Sequence, residues 1–251
     1  MTSDKTGRIV WHDLFTDNPL RSRSFYERVA GWHYVIEHAT DFAWGGGERD
    51  FILALCGDEA GAGFVPTDSA QFLGWIPYVE VQDVDSAAEI AVGLGGIVEK
   101  APFEVPGVGR NCLLRDPNGA LVGISLSRHG FPAPTRQFGP EAYHVRVGEY
   151  PEEFYRTLFD WGILPSDRPD KATQSIRRAG LQVGFRSAVE CQSDQNASWI
   201  PSIRVEQLSD ALHRVREMDG SVIWQSEDVS SENGNALVRD SNGVLSYLVA
   251  K

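Results

Sequence analysis

Asp13, Tyr78 and Glu80 are the side chains of this sequence best suited to moving protons. Two carboxylates held in apolar surroundings have their pKa values pushed apart, so one can act as base while the other, or a phenol, acts as acid. Strand parity supplies the apolar surroundings. Along residues 9–16, Asp13 shares a face with Trp11 and Phe15, continued by Asp17, against Val10, His12, Leu14 and Thr16 on the other. Along residues 75–82, Tyr78 and Glu80 share a face with Ile76. Proton transfers alone suffice for dehydration, cyclisation or isomerisation in a shaped cavity. The same residues admit two plainer roles: carboxylates solvated at strand ends, the usual place for acidic side chains, or partners of a cationic ligand or of Arg110 or Arg115.

The strands that carry these residues belong to a strand–helix–strands plan. Asn18 offers a cap, Pro19 suits the first helical position, Phe25 and Val29 lie four apart and Gly31 ends the run, so a helix is expected over 19–30. Gly45-Gly46-Gly47 and the glycines from 57 to 63 read as hairpin connections. Trp44, beside the first of them, is either an aromatic lid or an edge tryptophan. Asp85 can cap a second helix to residue 94, closed by Gly95-Gly96, and strands with turns at Pro106-Gly107 and Asp116-Pro117-Asn118-Gly119 fill 98–126. The plan then returns: strand 142–147, helix 151–159, strand 200–205, a helix from near Ser209 to Met218, and a last strand over 243–250, with a surface loop expected at 166–173.

The return is a repeat. Trp11-His12, Phe25-Tyr26, Gly31-Trp32, Trp75-Ile76-Pro77, Gly95-Gly96 and Arg115-Asp116-Pro117-Asn118-Gly119 recur as Tyr143-His144, Phe154-Tyr155, Asp160-Trp161, Trp199-Ile200-Pro201, Asp219-Gly220 and Arg239-Asp240-Ser241-Asn242-Gly243. The offsets shrink from 143−11 = 132 to 239−115 = 124, so order is kept. Two tandem domains follow, 1–128 and 140–251, joined by a Gly- and Pro-rich linker over 129–139. No apolar run approaches a membrane span, and residues 1–6 are polar, so neither a membrane protein nor a cleaved secretion signal is expected. Cys56, Cys112 and Cys191 are isolated, which fits reduced thiols and a cytoplasmic protein. A net charge of −12 without clustered Lys and Arg argues against nucleic acid and suits either solubility or a cationic ligand.

These motifs together resemble the vicinal oxygen chelate superfamily, which includes glyoxalase I, bleomycin- and fosfomycin-resistance proteins and extradiol dioxygenases. The resemblance implies an α+β fold: two tandem domains, each of paired βαβββ modules forming a curled mixed sheet around an open bay. How the four modules pair is left open. It also places metal ligands on the first strand of each module and the last strand of the paired sheet. Those positions fall on Trp11, Ile76 and Gly123, and by the repeat on Tyr143, Ile200 and Tyr247, none of which coordinates a divalent ion in the ordinary way. His12 falls on the opposite face and is expected to pack between sheet and helix, while His144 could face the bay with Arg146. Neither metal nor cofactor is therefore expected.

With Trp11 turned inward, the first bay would hold Trp11, Asp13, Phe15, Ile76, Tyr78, Glu80 and Ser125, with Asp17, Trp44 and Arg110 at hand, a box for a flat apolar molecule bearing a few polar atoms. In the second copy Ser202 and Arg204 replace Tyr78 and Glu80, so one working bay is expected, the first. Asp13, Glu80 and Tyr78 are the expected catalytic set, and the others the substrate contacts. The function expected is a metal-independent dehydratase, cyclase or isomerase of secondary metabolism, acting on an aromatic or polyketide-like compound as a monomer or homodimer. The alternatives are an antibiotic-binding resistance protein without turnover and, behind it, a metal-dependent glyoxalase or dioxygenase.

Overall fold

The computed structural model describes residues 5–69, 72–164, 174–187, 195–230 and 234–251. The loop expected over 166–173 lies outside them. The chain builds four modules of one pattern: β1 (Ile9–Thr16), α1 (Pro19–Ala30), β2 (His33–Ala39), β3 (Arg49–Cys56) and β4 (Glu59–Pro66); then β5 (Gly74–Glu80), α2 (Val84–Gly93), β6 (Ile97–Val105), β7 (Gly109–Arg115) and β8 (Leu121–Ser127). The third has β9 (Glu141–Val145), α3 (Glu152–Phe159), β10 (Gly162–Leu164), β11 (Gln174–Arg178) and β12 (Leu181–Arg186). After β13 (Ala197–Ile200), the fourth has β14 (Ser202–Val205), α4 (Leu208–Glu217), β15 (Ser221–Gln225), β16 (Asn235–Arg239) and β17 (Leu245–Ala250). In every module the first strand pairs parallel with the last, and the remaining strands form an antiparallel meander.

The modules gather into two compact units. The described residues of Met1–Trp11, Ile76–Ala133 and Pro140–Trp199 form one, and those of His12–Trp75, Pro134–Gly139 and Ile200–Lys251 the other. The first therefore holds modules two and three, with strands in the orders β5-β8-β7-β6 and β10-β11-β12-β9-β13; the second holds modules one and four, in the orders β2-β3-β4-β1 and β14-β17-β16-β15. Each compact unit thus takes one module from each copy of the sequence repeat.

Helix α1 shows why. Its buried residues, Ser22, Phe25, Tyr26, Val29 and Ala30, follow helical spacing and make one apolar stripe. Asn18 caps it by accepting from the Arg21 N–H at 3.1 Å, and Gly31, at φ 69°, ends it in the left-handed conformation. The stripe joins Leu14 and Phe64 of module one to Val205, Leu212, Val215 and Leu248 of module four. In the other unit Ala87, Ala88 and Ala91 of α2 pack with Val79, Val122 and Ile124 and with Phe154 and Phe159 of α3. Burying each large apolar side chain contributes roughly 1.5–3 kcal/mol. The cap of α2 lies two residues before the expected Asp85: Asp83 accepts from Ser86 N–H at 2.8 Å.

Residues 134–139, expected as linker, are packed. Phe138 is a core residue bridged to Ile203, and the fully buried Gln137 donates from Nε2 to the Ala54 carbonyl at 3.1 Å.

Candidate functional site

Parity on β5 and β8 sets the site of the first unit. Tyr78 pairs with Gly123, Val79 with Ile124 and Glu80 with Ser125. Val79 and Ile124 belong to the core under α2, so Tyr78, Glu80, Gly123 and Ser125 occupy the other face together with Ile76. The pairing at Gly123 requires glycine, because a Cβ there would lie 2.1 Å from Cδ1 of Tyr78. Glu80 is fixed by Ser127, whose hydroxyl donates to Oε2 at 2.6 Å and whose N–H lies 3.3 Å from both carboxylate oxygens. Tyr78 and Glu80 are each 1% exposed.

The neighbouring strand corrects one expectation. Arg110 shares its face with Cys112, a core residue, and clamps Asp85 in the first turn of α2 with two bonds of 2.7 Å. It therefore lies on the helix side, and Asn111, paired with Ser125, is the β7 residue on the Tyr78–Glu80 face. The buried Asn111 Oδ1 has no hydrogen-bond partner among the described residues. The face of Asn111 is set by the unbroken β7–β8 register, while the bulges between Val98 and Lys100 and between Lys100 and Phe103 lie in β6. Ser127 could have been found from the sequence: it continues the Gly123, Ser125 alternation.

Asp13, Phe15 and Trp44 form a second group, in the other unit. Leu14 and Phe64 pair in the core, so Asp13, opposite Gly63, and Phe15, opposite Val65, face away from it. Phe15 meets Trp44 edge-on at 4.9 Å and Phe72 at 6.0 Å. Asp13 is buried, whereas Asp17 lies beyond the end of β1 and is exposed, off the face that holds Asp13. Trp11 falls in the first unit, with Tyr78 and Glu80, and Asp13 in the second.

His12 packs as expected, stacked on Phe138 at 3.8 Å. Tyr143, expected at a bay position, faces the core instead, donating to Asp116 Oδ2 at 2.7 Å. The helix motifs give the alignment: 154−25 = 129 and 161−32 = 129 put Tyr143 in the place of Leu14, since 143−129 = 14. His144 accordingly turns away from that core, and burial pushes its imidazole down to about 4, leaving it neutral near pH 7. Among the described residues no three His, Cys, Asp or Glu side chains come together in a way that could hold a metal ion. With the Tyr78 ring in the space at Gly123 and Tyr143 committed to the core, this donor set does not fit a divalent ion.

The fold is the vicinal oxygen chelate fold. Across 98% of its length the chain superposes on catechol 2,3-dioxygenase (TM-score 0.63, 14% identity, 88% of that chain) and on the Mn(II)-bound glyoxalase from Novosphingobium aromaticivorans (TM-score 0.61, 13% identity, 82% of that chain). At such identities the likeness is one of fold. In sequence, 122 residues, 48% of the chain, are 33% identical to the putative glyoxylase CFP32 of Mycobacterium tuberculosis, covering 44% of it. A stretch of 130 residues, 51% of the chain, is 31% identical to the anthracycline biosynthesis protein DnrV of Streptomyces peucetius, again covering 44%. Each match thus spans less than half the length of the curated relative. No family model matches the sequence.

Proposed function

We propose that the chain is a metal-independent enzyme of secondary metabolism that moves protons on an aromatic, polyketide-like substrate through Glu80 and Tyr78. The observation that carries this reading is the pair itself: a carboxylate and a phenol two residues apart on one strand face, with the carboxylate oriented by Ser127. Glu80 takes a proton from carbon beside a carbonyl, and Tyr78 gives its proton to the departing hydroxyl. Water leaves, and transfer of the proton from Glu80 to the phenolate restores both groups. Asn111 offers an acceptor to a ligand hydroxyl. The relative DnrV supports the substrate class through its part in anthracycline biosynthesis.

The test uses an anthracycline and its aglycone as probes, followed by tryptophan quenching and by mass spectrometry of the recovered compound. The expected result is binding with conversion to an isomer or a dehydrated product, and binding without conversion in Glu80→Gln. Conversion at wild-type rate by Glu80→Gln would remove Glu80 from the mechanism. A second reading, sequestration without turnover, draws on the buried Asp13 beside the Phe15–Trp44–Phe72 cluster, which suits a cationic aromatic ligand. Tight binding with the compound recovered unchanged from wild type favours that reading.

A further inference from the structure

We propose that Lys100, carried onto the Glu80 face by two bulges in β6, binds a carboxylate of the substrate. That role rests on the reading of this face as the substrate site and adds the charge and the length of what it takes.

In a regular strand Lys100 would share the face of Val98, and Phe103 would lie opposite both. Val98 pairs with the core residue Leu114, yet Lys100 pairs with Leu113, the next residue of β7, so β6 gains one residue between them. A second extra residue lies between Lys100 and Phe103, which pairs with Asn111. The first bulge therefore turns Lys100 off the core face, and the second brings Phe103 to the same side. Leu113 and Asn111 in turn lie opposite Gly123 and Ser125. Two rows thus cross four strands on the face away from α2: Lys100, Leu113, Gly123 and Tyr78 in one, and Phe103, Asn111, Ser125 and Glu80 in the other. Bulges that re-aim a side chain in this way gather beside binding sites.

The aim of Lys100 is held from both ends. The Cys112 thiol donates to its carbonyl at 3.2 Å, and Pro102, in the second bulge, has no N–H to offer the ladder. At the other end Nζ lies 4.2 Å from the centre of the Phe103 ring, a seat that attracts a cation without neutralising it. The nearest acids along β6 are engaged by arginines, Glu99 by Arg115 at 2.7 Å and Glu104 by Arg128 at 2.9 Å. Burial pushes the ammonium below the ordinary lysine value, so an arriving anion replaces hydration that the charge has lost. Three inter-strand steps separate β5 from β6, about 14 Å between backbones. A fused-ring compound bridges that span, with its reacting carbon at Glu80 and a carboxylate at Lys100, where a single ring would not.

Isothermal titration with an anthraquinone carboxylate and its carboxamide, alike in shape and different in charge, tests the site without turnover. Wild type should bind the carboxylate about tenfold more tightly, the scale of one hydrogen bond to a charged group. Lys100→Met should bind the two alike with the carboxamide affinity kept, and Lys100→Arg should keep the preference. A merely structural role would move both affinities together. Equal affinities in wild type, or a preference that survives Lys100→Met, overturns the proposal. Should Lys100→Met not fold, NMR of the unsubstituted chain with isotope-labelled methyl groups on its lysines gives the answer: the carboxylate should shift the Lys100 signal and the carboxamide should not, and a signal unmoved by the carboxylate overturns the proposal. Wild-type turnover of the anthracycline probe by Glu80→Gln, with the preference lost in Lys100→Met, overturns the base assignment and leaves the carboxylate site standing.

Discussion

Tyr155 donates its hydroxyl hydrogen to Asp116 Oδ2 at 2.9 Å, and so ties the helix of the third module to the turn of the second. The same bond recurs in the other unit, from Tyr26 to Asp240 Oδ2 at 3.3 Å. Each phenol also accepts from an indole, Trp199 Nε1 at 2.7 Å and Trp75 Nε1 at 3.1 Å. The glycine pairs serve the same joints: a Cβ at Gly96 would lie 2.7 Å from Phe154, and one at Gly220 2.8 Å from Phe25. The Phe-Tyr motif of each copy is therefore received by the Gly and Asp motifs of the other.

Tyr155→Phe should destabilise the protein by about 2–3 kcal/mol, because it leaves the Trp199 indole without an acceptor and removes one of two phenol donors from buried Asp116. Tyr26→Phe should cost less, since both of its bonds are longer. Urea unfolding of the two variants measures the difference. Equal losses would show that bond length does not rank these joints.

Asp240 makes stability depend on pH. Burial pushes its carboxyl up to about 6, against the hydrogen bonds from Val244, Asn242 and Tyr26 that favour the charged form. The folded state holds the proton more tightly than the unfolded state, where the carboxyl returns to about 3.9. Its contribution is present in full below that unfolded value and is lost as pH rises to about 6, a span worth about 3 kcal/mol. Unfolding free energies between pH 4 and 7 should therefore fall more steeply with pH in wild type than in Asp240→Asn; parallel curves would contradict the assignment.

Gly123→Ala should destabilise strongly, because the new methyl collides with the Tyr78 ring. Truncating the ring in Tyr78→Ala should make the same glycine substitution much milder. A double-mutant cycle in thermal unfolding reads the coupling directly, and additive effects would place the collision elsewhere.

Arg110→Ala should leave both the affinity for the anthracycline probe and the stability nearly unchanged, since its Asp85 partner is largely exposed. Asn111→Ala should weaken the probe about tenfold through loss of an acceptor on the Glu80 face. Isothermal titration of both variants decides between the neighbours.

Addition of a chelator, or of Mn²⁺ or Zn²⁺, should leave the melting temperature unchanged, because among the described residues no three His, Cys, Asp or Glu side chains come together in a way that could hold a metal ion. A metal-dependent rise would contradict this.

The sequence by itself determined the local structure. Apolar spacing, Asn18, Pro19 and Gly31 define α1, strand alternation assigns Tyr78 and Glu80 to one face, and the repeat announces four modules of one fold. It could also show the absence of ligand-type side chains at the expected metal positions, since residue identity alone settles that. Tertiary structure decided what depends on distant partners. Which modules share a core rests on bonds such as Tyr155–Asp116, formed between copies that are each complete as a sequence pattern. Arg110 and Asn111 are adjacent, and the pairing of β7 with β8, Asn111 opposite Ser125, says which of them faces Glu80. Tyr143 looked like the counterpart of Trp11 and became that of Leu14, because a slip along a strand costs nothing in composition yet turns every side chain to the other face when its length is odd.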